Sequence, residues 1–136
     1  EGITTLCPDA RITANAYHIL FLRYRAEAFG GLSKALFIKA LQAEGIQGVH
    51  GGYSLPAYRQ PVLQTANFGL PTPPLFHGVH PEPPDYSTVV LPVTDRACSD
   101  EAIWIRQNML LGERQDMDDI AEAILKIQQY CDEVQE

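Results

Sequence analysis

Proline constrains the fold of this 136-residue chain more than any other residue type. Eight of its ten prolines lie between residues 51 and 84. Because proline has a fixed φ and no amide hydrogen, a stretch this rich in proline excludes regular helix and interior strand. Such a long irregular loop is uncommon in a compact domain and is usually functional or covered by a partner, and its aromatic residues argue against full disorder. Regular secondary structure is therefore predicted on either side of it.

Before the loop, the sequence predicts a strand, a helix and a second, short strand. Residues 16–24 are apolar at both alternating sets of positions, which is typical of a central strand covered on two faces. Apolar residues then recur at helical spacing over residues 33–44, with Ser33 as the predicted N-cap and Gly45 at the C-terminus. Residues 46–50 are the second strand candidate.

After the loop, the sequence predicts a short helix, a strand and a long terminal helix. Pro92 suits the first turn of a helix that extends to residue 98, and residues 102–107 alternate as a strand does. Asp116 is the predicted N-cap of the last helix, with Asp119 completing a capping box. Its predicted buried stripe is spaced by three and four residues: Met117, Ile120, Ile124, Ile127, Cys131 and Val134.

The resulting element order is β-α-β-loop-α-β-α. This order predicts one α+β domain over residues 1–136, a two-layer structure with a small mixed or antiparallel sheet and helices packed on one side. No glycine-rich phosphate loop follows a strand, so the order does not support a nucleotide-binding Rossmann unit.

Charge and cysteine content exclude several classes of protein. The formal net charge of −7 argues against nucleic acid or an anionic membrane as the main partner, since both require a basic face. No segment is apolar for long enough to predict a membrane span. Three scattered cysteines, Cys7, Cys98 and Cys131, do not form a disulfide framework, which favours a cytoplasmic location. The start at Glu1, without an initiator Met or a signal peptide, suggests a piece of a longer protein.

Two groups of side chains carry atoms that can bind a metal ion, and neither group predicts a metal site. The acidic group at the start of the terminal helix lacks the spacing of a calcium loop and suits the helix dipole. The histidine pair in the loop has no third ligand nearby. An independent metal-dependent enzyme is therefore the weakest hypothesis. The residues concerned are Asp116, Asp118, Asp119 and Glu122, and His77 and His80.

The sequence predicts no catalytic and no cofactor-binding residue within the chain. No serine lies in a nucleophile-elbow pattern, and Cys98 is interpreted as a packing residue. A lysine that bonds covalently to a carbonyl cofactor is normally desolvated. Lys34, Lys39 and Lys126 all fall on predicted helices among polar neighbours, and we interpret them as solvated.

Residues 50–61 carry the strongest candidates for ligand binding. Two glycines there permit unusual backbone angles, and His50, Tyr53 and Tyr58 flank them. Composition alone leaves two interpretations open: a wall of a polar-substrate pocket, or a packed loop with half-buried tyrosines.

Short motifs in a fixed order carry a resemblance to a known family. They read RIT at 11–13, LRYR at 22–25, FGGLS at 29–33, ALQAEGI at 40–46, GGYSLPAYRQP at 51–61 and ACSDEAIWIRQNMLLGERQDMDDIAEAILKI at 97–127. Together they resemble the C-terminal small domain of the DegT/DnrJ/StrS sugar aminotransferases, which are fold-type I enzymes that use pyridoxal 5′-phosphate (PLP).

The resemblance implies an enzyme that transfers an amino group from glutamate or glutamine to a keto-sugar or keto-cyclitol. It implies a homodimer in which a separate large domain binds PLP, so this chain alone is expected to bind no PLP and to be inactive. It also places His50, Tyr53 and Tyr58 next to the substrate. The alternative hypothesis is a free-standing protein-interaction domain that uses the proline-rich and aromatic loop at 51–84.

Overall fold

The computed structural model describes residues 1–5, 9–65 and 85–134. Its strands are β1 (Ile3–Thr5), β2 (Ile19–Tyr24), β3 (Val49–His50) and β4 (Ala102–Arg106). Its helices are α1 (Lys34–Ala43), α2 (Pro61–Gln64), α3 (Pro92–Arg96), α4 (Arg114–Gln129) and α5 (Cys131–Val134). Short 3₁₀ turns span Ala26–Phe29, Ala57–Arg59, Tyr86–Thr88 and Gln107–Leu110, and a π-helical turn, Ala97–Glu101, continues α3 into β4.

The four strands form one antiparallel sheet in the order β1-β2-β4-β3. Strand β2 pairs with β1 through Ile3↔Tyr24 and with β4 through Leu22↔Ile103, so it is the central strand that its apolar pattern predicts. Strand β3 continues the sheet beyond β4. The predicted α+β class with a small antiparallel sheet is confirmed.

One face of the sheet, here called the inner face, packs against α1 and α4. Successive residues of a strand point to opposite faces, and the inward set on β2 and β4 is fully apolar or aromatic. The buried core joins this set to the two helices and to the turn before α1. Its members are Leu22, Tyr24, Phe29, Leu32, Phe37, Leu41, Ile46, Val49, Ile103, Ile105, Ile120, Ala123 and Ile127.

Helix α1 forms where its caps and apolar spacing predict it. The Ser33 hydroxyl accepts a hydrogen bond from the Leu36 amide at 3.3 Å, which satisfies one of the unpaired amides of the first turn. Phe37 and Leu41, four residues apart, then lie on one face and are buried. Gly45 follows the helix at a φ of 97°, a conformation that glycine adopts without strain.

Helix α4 begins earlier than its sequence suggests. The N-cap is Glu113, not Asp116, and Asp116 occupies the third helical position, where its carboxylate accepts the Glu113 amide at 2.6 Å. The capping box is therefore formed by Glu113 and Asp116 rather than by Asp116 and Asp119. Acidic side chains can occupy either position of such a box, so the sequence allowed both registers.

The predicted apolar stripe of α4 faces the core, but it includes one further residue and is divided between two helices. Ile120 and Ile127 are buried, and Met117, Ile124 and Val134 pack against the core from its rim. Ala123 is also buried but was not predicted. The helix ends at Gln129, and α5 carries the last stripe residues, Cys131 and Val134.

Strand β1 and the short helical turns were not predicted. Strand β1 has only three residues and no alternating pattern, and its partner strand is separated from it by more than a dozen residues. The prediction that the stretch 51–84 excludes helix is wrong near its start, which contains the turn Ala57–Arg59 and helix α2, because α2 begins at Pro61, where proline is well tolerated. The rest of that loop, from residue 66 onward, lies outside the described residues.

Candidate functional site

The face of the sheet opposite the core, here called the outer face, carries a row of aromatic side chains. Trp104 pairs with Phe21 on one side and with His50 on the other, so the three lie side by side across β2, β4 and β3. Their neighbours Leu22, Ile103 and Val49 point into the core, so this row faces away from α1 and α4. Phe21, His50 and Trp104 are all only partly buried.

The turn that leaves β3 brings a fourth aromatic side chain to this row. Gly51 and Gly52 follow His50 directly, and Gly52 has a φ of 68°. The turn places the Tyr53 ring edge-on to the Trp104 ring, with centroids 5.1 Å apart and an interplanar angle of 83°. Tyr53 is 71% exposed. We call Phe21, His50, Tyr53 and Trp104 the outer aromatic patch.

His50 connects the aromatic patch to a polar groove. Its ring meets Trp104 edge-on at 5.5 Å, and its Nδ1 accepts a long hydrogen bond from the Gly52 amide at 3.4 Å. An accepting Nδ1 leaves Nε2 as the nitrogen that carries the proton in the neutral ring. The groove has a volume of about 330 Å³ and is lined by His18, Ile19, His50, Arg106, Gln107 and Asn108. It offers several hydrogen-bond donors and acceptors beside the patch.

Tyr58 lies in a different setting from His50 and Tyr53. It is only 7% exposed, and its hydroxyl donates to Asp95 Oδ1 at 2.6 Å. The Arg59 guanidinium donates to the same carboxylate at 2.7 Å and to the Tyr58 hydroxyl at 3.0 Å. This network ties the turn Ala57–Arg59 to α3. The Tyr58 hydroxyl is therefore engaged within the domain, and its predicted place next to a substrate stays a prediction.

A charged cluster lies near the C-terminal end of β2, around Glu101. Glu101 accepts two hydrogen bonds from Arg23, at 3.0 and 3.1 Å, and one from Arg96 at 2.7 Å. The hydrogen bonds from Arg23, and to a lesser extent the one from Arg96, lower the pKa of Glu101 against the opposing effect of burial. A carboxylate with two arginines is already well compensated, so this cluster serves to join β2 to the π-helical turn before β4.

Lys39 and Lys126 are exposed, as the sequence predicts, but Lys34 departs from the sequence interpretation. Lys34 is only partly exposed: its ammonium donates to the Cys98 carbonyl at 2.6 Å and to the Gly51 carbonyl at 3.4 Å. Burial lowers the pKa of Lys34, while Asp100 acts in the opposite direction. Two carbonyl acceptors hold this amine in place as a structural link. Lys126 pairs with Glu44 at 2.8 Å, and Lys39 is exposed.

The other candidates from the sequence have structural partners or lie outside the described residues. Asp116 caps α4, Asp118 pairs with Arg114, and Asp119 accepts from Gln115 at 2.8 Å. These bonds agree with the interpretation of the acidic group as a helix start. In the described part of the chain, no three His, Cys, Asp or Glu side chains are grouped to hold a metal ion. His77 and His80 lie outside the described residues.

Three curated relatives match this chain over nearly all of its length. Each is named as an L-glutamine:3-amino-2,3-dideoxy-scyllo-inosose aminotransferase. The relative from Micromonospora echinospora is 29% identical over 126 residues, covering 93% of the chain. Those from Streptoalloteichus tenebrarius and Streptomyces kanamyceticus are 28% and 30% identical and cover 91% and 88%.

The predicted resemblance to aminotransferases is confirmed. The chain spans 28–29% of the length of these aminotransferases, so it corresponds to one region of them. No family model matches the chain. Among the helices of residues 1–5, 9–65 and 85–134, none has both the length and the apolar character needed to cross a lipid bilayer.

Sequence reasoning missed the residue at the centre of the outer patch, Trp104. The signal was present in the alternation of β4: Ile103 and Ile105 share one face, which leaves Trp104 on the face of Arg106. A large aromatic side chain on the polar face of an amphipathic strand is a candidate for ligand contact or for support of a neighbouring segment.

Proposed function

We propose that this chain is the C-terminal small domain of a longer, PLP-dependent aminotransferase. The enzyme would transfer the amino group of glutamine or glutamate to a keto-cyclitol or keto-sugar. The observation that carries this proposal is the similarity to three aminotransferases named for glutamine and a scyllo-inosose substrate, over 88–93% of the chain.

In this proposal, the outer aromatic patch and its polar groove face the substrate. A cyclitol or sugar ring has apolar C–H surfaces that pack against aromatic rings, and hydroxyls that need hydrogen-bond partners. Tyr53 supplies an exposed ring together with a hydroxyl, and His50 adds a ring nitrogen at the edge of the groove. The inner face supplies neither, since its side chains are buried in the core.

In this proposal, PLP and the residues that bind it belong to parts of the enzyme outside this chain. PLP, when bound, supplies the electron-withdrawing group that makes amino transfer possible, and residues outside this chain would hold it. The chain's own contribution would be to bind and orient the substrate through His50 and Tyr53. The domain would pack on its own large domain, within a cytoplasmic homodimer.

Isotope transfer in the full-length protein tests this function. The protein would be incubated with PLP, with glutamine labelled at its α-amino nitrogen, and with 3-amino-2,3-dideoxy-scyllo-inosose or another keto-cyclitol. We expect the keto carbon to gain a hydrogen and the labelled amino group, while the glutamine α-carbon becomes a keto group. Mass spectrometry would detect both products. Failure of label to reach any keto-cyclitol or keto-sugar, from either glutamine or glutamate, would contradict the proposal.

A further inference from the structure

Trp104 lies against three of the four residues of the turn from His50 to Tyr53. Its ring meets the His50 ring and the Tyr53 ring edge-on, at 5.5 and 5.1 Å. Between them, the backbone of Gly52 passes so close that an added Cβ would lie 2.8 Å from Cε2 and 3.0 Å from Nε1 of the indole. The indole therefore lies directly against the turn and leaves no room for a side chain at Gly52.

Other contacts hold this turn more weakly. Lys34 reaches the Gly51 carbonyl at 3.4 Å, at the outer limit of a hydrogen bond, while its bond to the Cys98 carbonyl is much shorter, at 2.6 Å. The hydrogen bond from the Gly52 amide to His50 is also 3.4 Å long. Packing on the indole is thus the main restraint on the turn within the described part of the chain.

The indole nitrogen gives a second reason to assign Trp104 a role beyond filling space. Nε1 is buried, and no acceptor within residues 1–5, 9–65 and 85–134 lies within hydrogen-bond reach of it. Leaving a buried donor unpaired is costly, and a leucine or phenylalanine would occupy a sheet position without this cost. The tryptophan is therefore better explained by what its broad ring does for the turn.

We infer that Trp104 is a positioning residue: it fixes the turn from His50 to Tyr53 and thereby places these two side chains toward the substrate. This inference rests on the proposed function for its link to substrate. The restraint on the turn itself is a property of this chain alone. The turn requires glycine at position 52 for two reasons: the positive φ of this residue and its contact with the indole.

A set of glycine variants in the full-length enzyme separates the indole contact from backbone strain. Gly52→Ala would be compared with Gly45→Ala, because Gly45 also has a positive φ but has no atom within 4 Å of an added Cβ. We expect Gly52→Ala to lower kcat/KM by about tenfold to a hundredfold, as small misplacements of binding groups do. Most of this change should lie in KM. Gly45→Ala should leave kcat/KM within about twofold, since it lies away from the turn.

Substitutions of Trp104 then test whether contact with the indole causes the loss of kcat/KM in Gly52→Ala. Trp104→Leu should lower kcat/KM as Gly52→Ala does, and Trp104→Phe should lower it by a smaller factor, because a phenyl ring restores only part of the aromatic surface against the turn. The double variant Gly52→Ala/Trp104→Leu should lose less than the product of the two single losses, because removing the indole removes the clash. Equal effects of Gly52→Ala and Gly45→Ala, or fully multiplicative losses in the double variant, would overturn the inference.

Amide hydrogen exchange keeps the inference testable if no keto substrate is turned over. In the full-length protein without substrate, Trp104→Leu should speed exchange in a peptide covering residues 49–55 and leave exchange in α4 unchanged. Unchanged exchange at 49–55 would contradict the restraint on the turn. Faster exchange there in a protein that is inactive with every keto substrate would refute the proposed function and leave the restraint intact.

Discussion

The two faces of the sheet carry aromatic clusters with similar distances between ring centroids and opposite exposure. On the inner face, Tyr24, Phe29 and Phe37 have centroids 4.6–5.0 Å apart and are almost completely buried. On the outer face, the Trp104 contacts with His50 and Tyr53 span 5.1–5.5 Å, but the rings stay partly or largely exposed. Ring contacts alone therefore do not identify a core. An aromatic cluster that the fold leaves open is available for a ligand or another part of the protein.

The largest predicted difference between the faces is in stability. Phe37→Ala should lower the free energy of unfolding by about 3–5 kcal/mol, because it opens a cavity among buried rings. Tyr53→Ala should cost well under about 1 kcal/mol, since exposed positions contribute little. Native-state hydrogen exchange of β4 amides in the full-length protein would measure both values for this domain. Equal losses from the two variants would show that the outer patch is part of the core.

Helix α4 allows the same contrast between neighbouring residues. Ile127 is 3% exposed and Leu125 is 59% exposed, two residues earlier on the same helix. Ile127→Ala should cost about 2–5 kcal/mol and Leu125→Ala well under 1 kcal/mol, because only the former removes buried surface. Native-state hydrogen exchange measured at increasing urea concentrations would give the stability of each variant. A larger loss from Leu125→Ala would mean that the helix face is assigned wrongly.

A smaller loss of stability is expected when the buried hydroxyl of Tyr24 is removed. Tyr24 donates to the Leu32 carbonyl at 2.7 Å, and Tyr24→Phe should cost about 1–3 kcal/mol by leaving that carbonyl unpaired. Burial, with smaller contributions from Cys131 and Glu27, raises the pKa of Tyr24 to about 12.

This shift predicts a specific alkaline dependence. Since the folded state holds the phenol proton more tightly than the unfolded state, the contribution of Tyr24 to stability is complete below the unfolded pKa of about 10. It falls as the pH rises from there to about 12. Tyr24→Phe should make stability less dependent on pH over this interval. An unchanged slope in the variant would show that Tyr24 titrates alike in both states.

Local signals in the sequence predicted the elements that local contacts stabilise. Ser33 and Gly45 bracket α1, and the apolar spacing of α4 identified the buried Ile120 and Ile127 correctly. Strand β1 escaped prediction because its three residues are stabilised by pairing with a distant part of the chain. The start of α4 was misplaced because an acidic residue is compatible with both the cap and the third helical position.

The candidate site was only partly predictable, because several of its contacts join residues that are distant in the sequence. The sequence indicated His50, Tyr53 and Tyr58 around two glycines, and the structure brings the rings of His50 and Tyr53 to the outer face. It did not indicate that Tyr58 is tied to Asp95, or that Lys34 bridges two carbonyls. Tyr58 and Asp95 are 37 positions apart, and Lys34 lies 64 positions from Cys98 and 17 from Gly51, separations that no local pattern encodes.

Substrate protection in the full-length enzyme tests most directly whether the outer face, rather than the inner, is the functional surface. Amide exchange would be measured with PLP bound, in the presence and absence of the keto substrate. We predict slower exchange in residues 49–55 when substrate is present, and no change in the peptide covering α4, whose contacts lie on the other side of the sheet. Turnover of the keto substrate with no protection at 49–55, or with equal protection of α4, would contradict the assignment of the outer face to substrate binding.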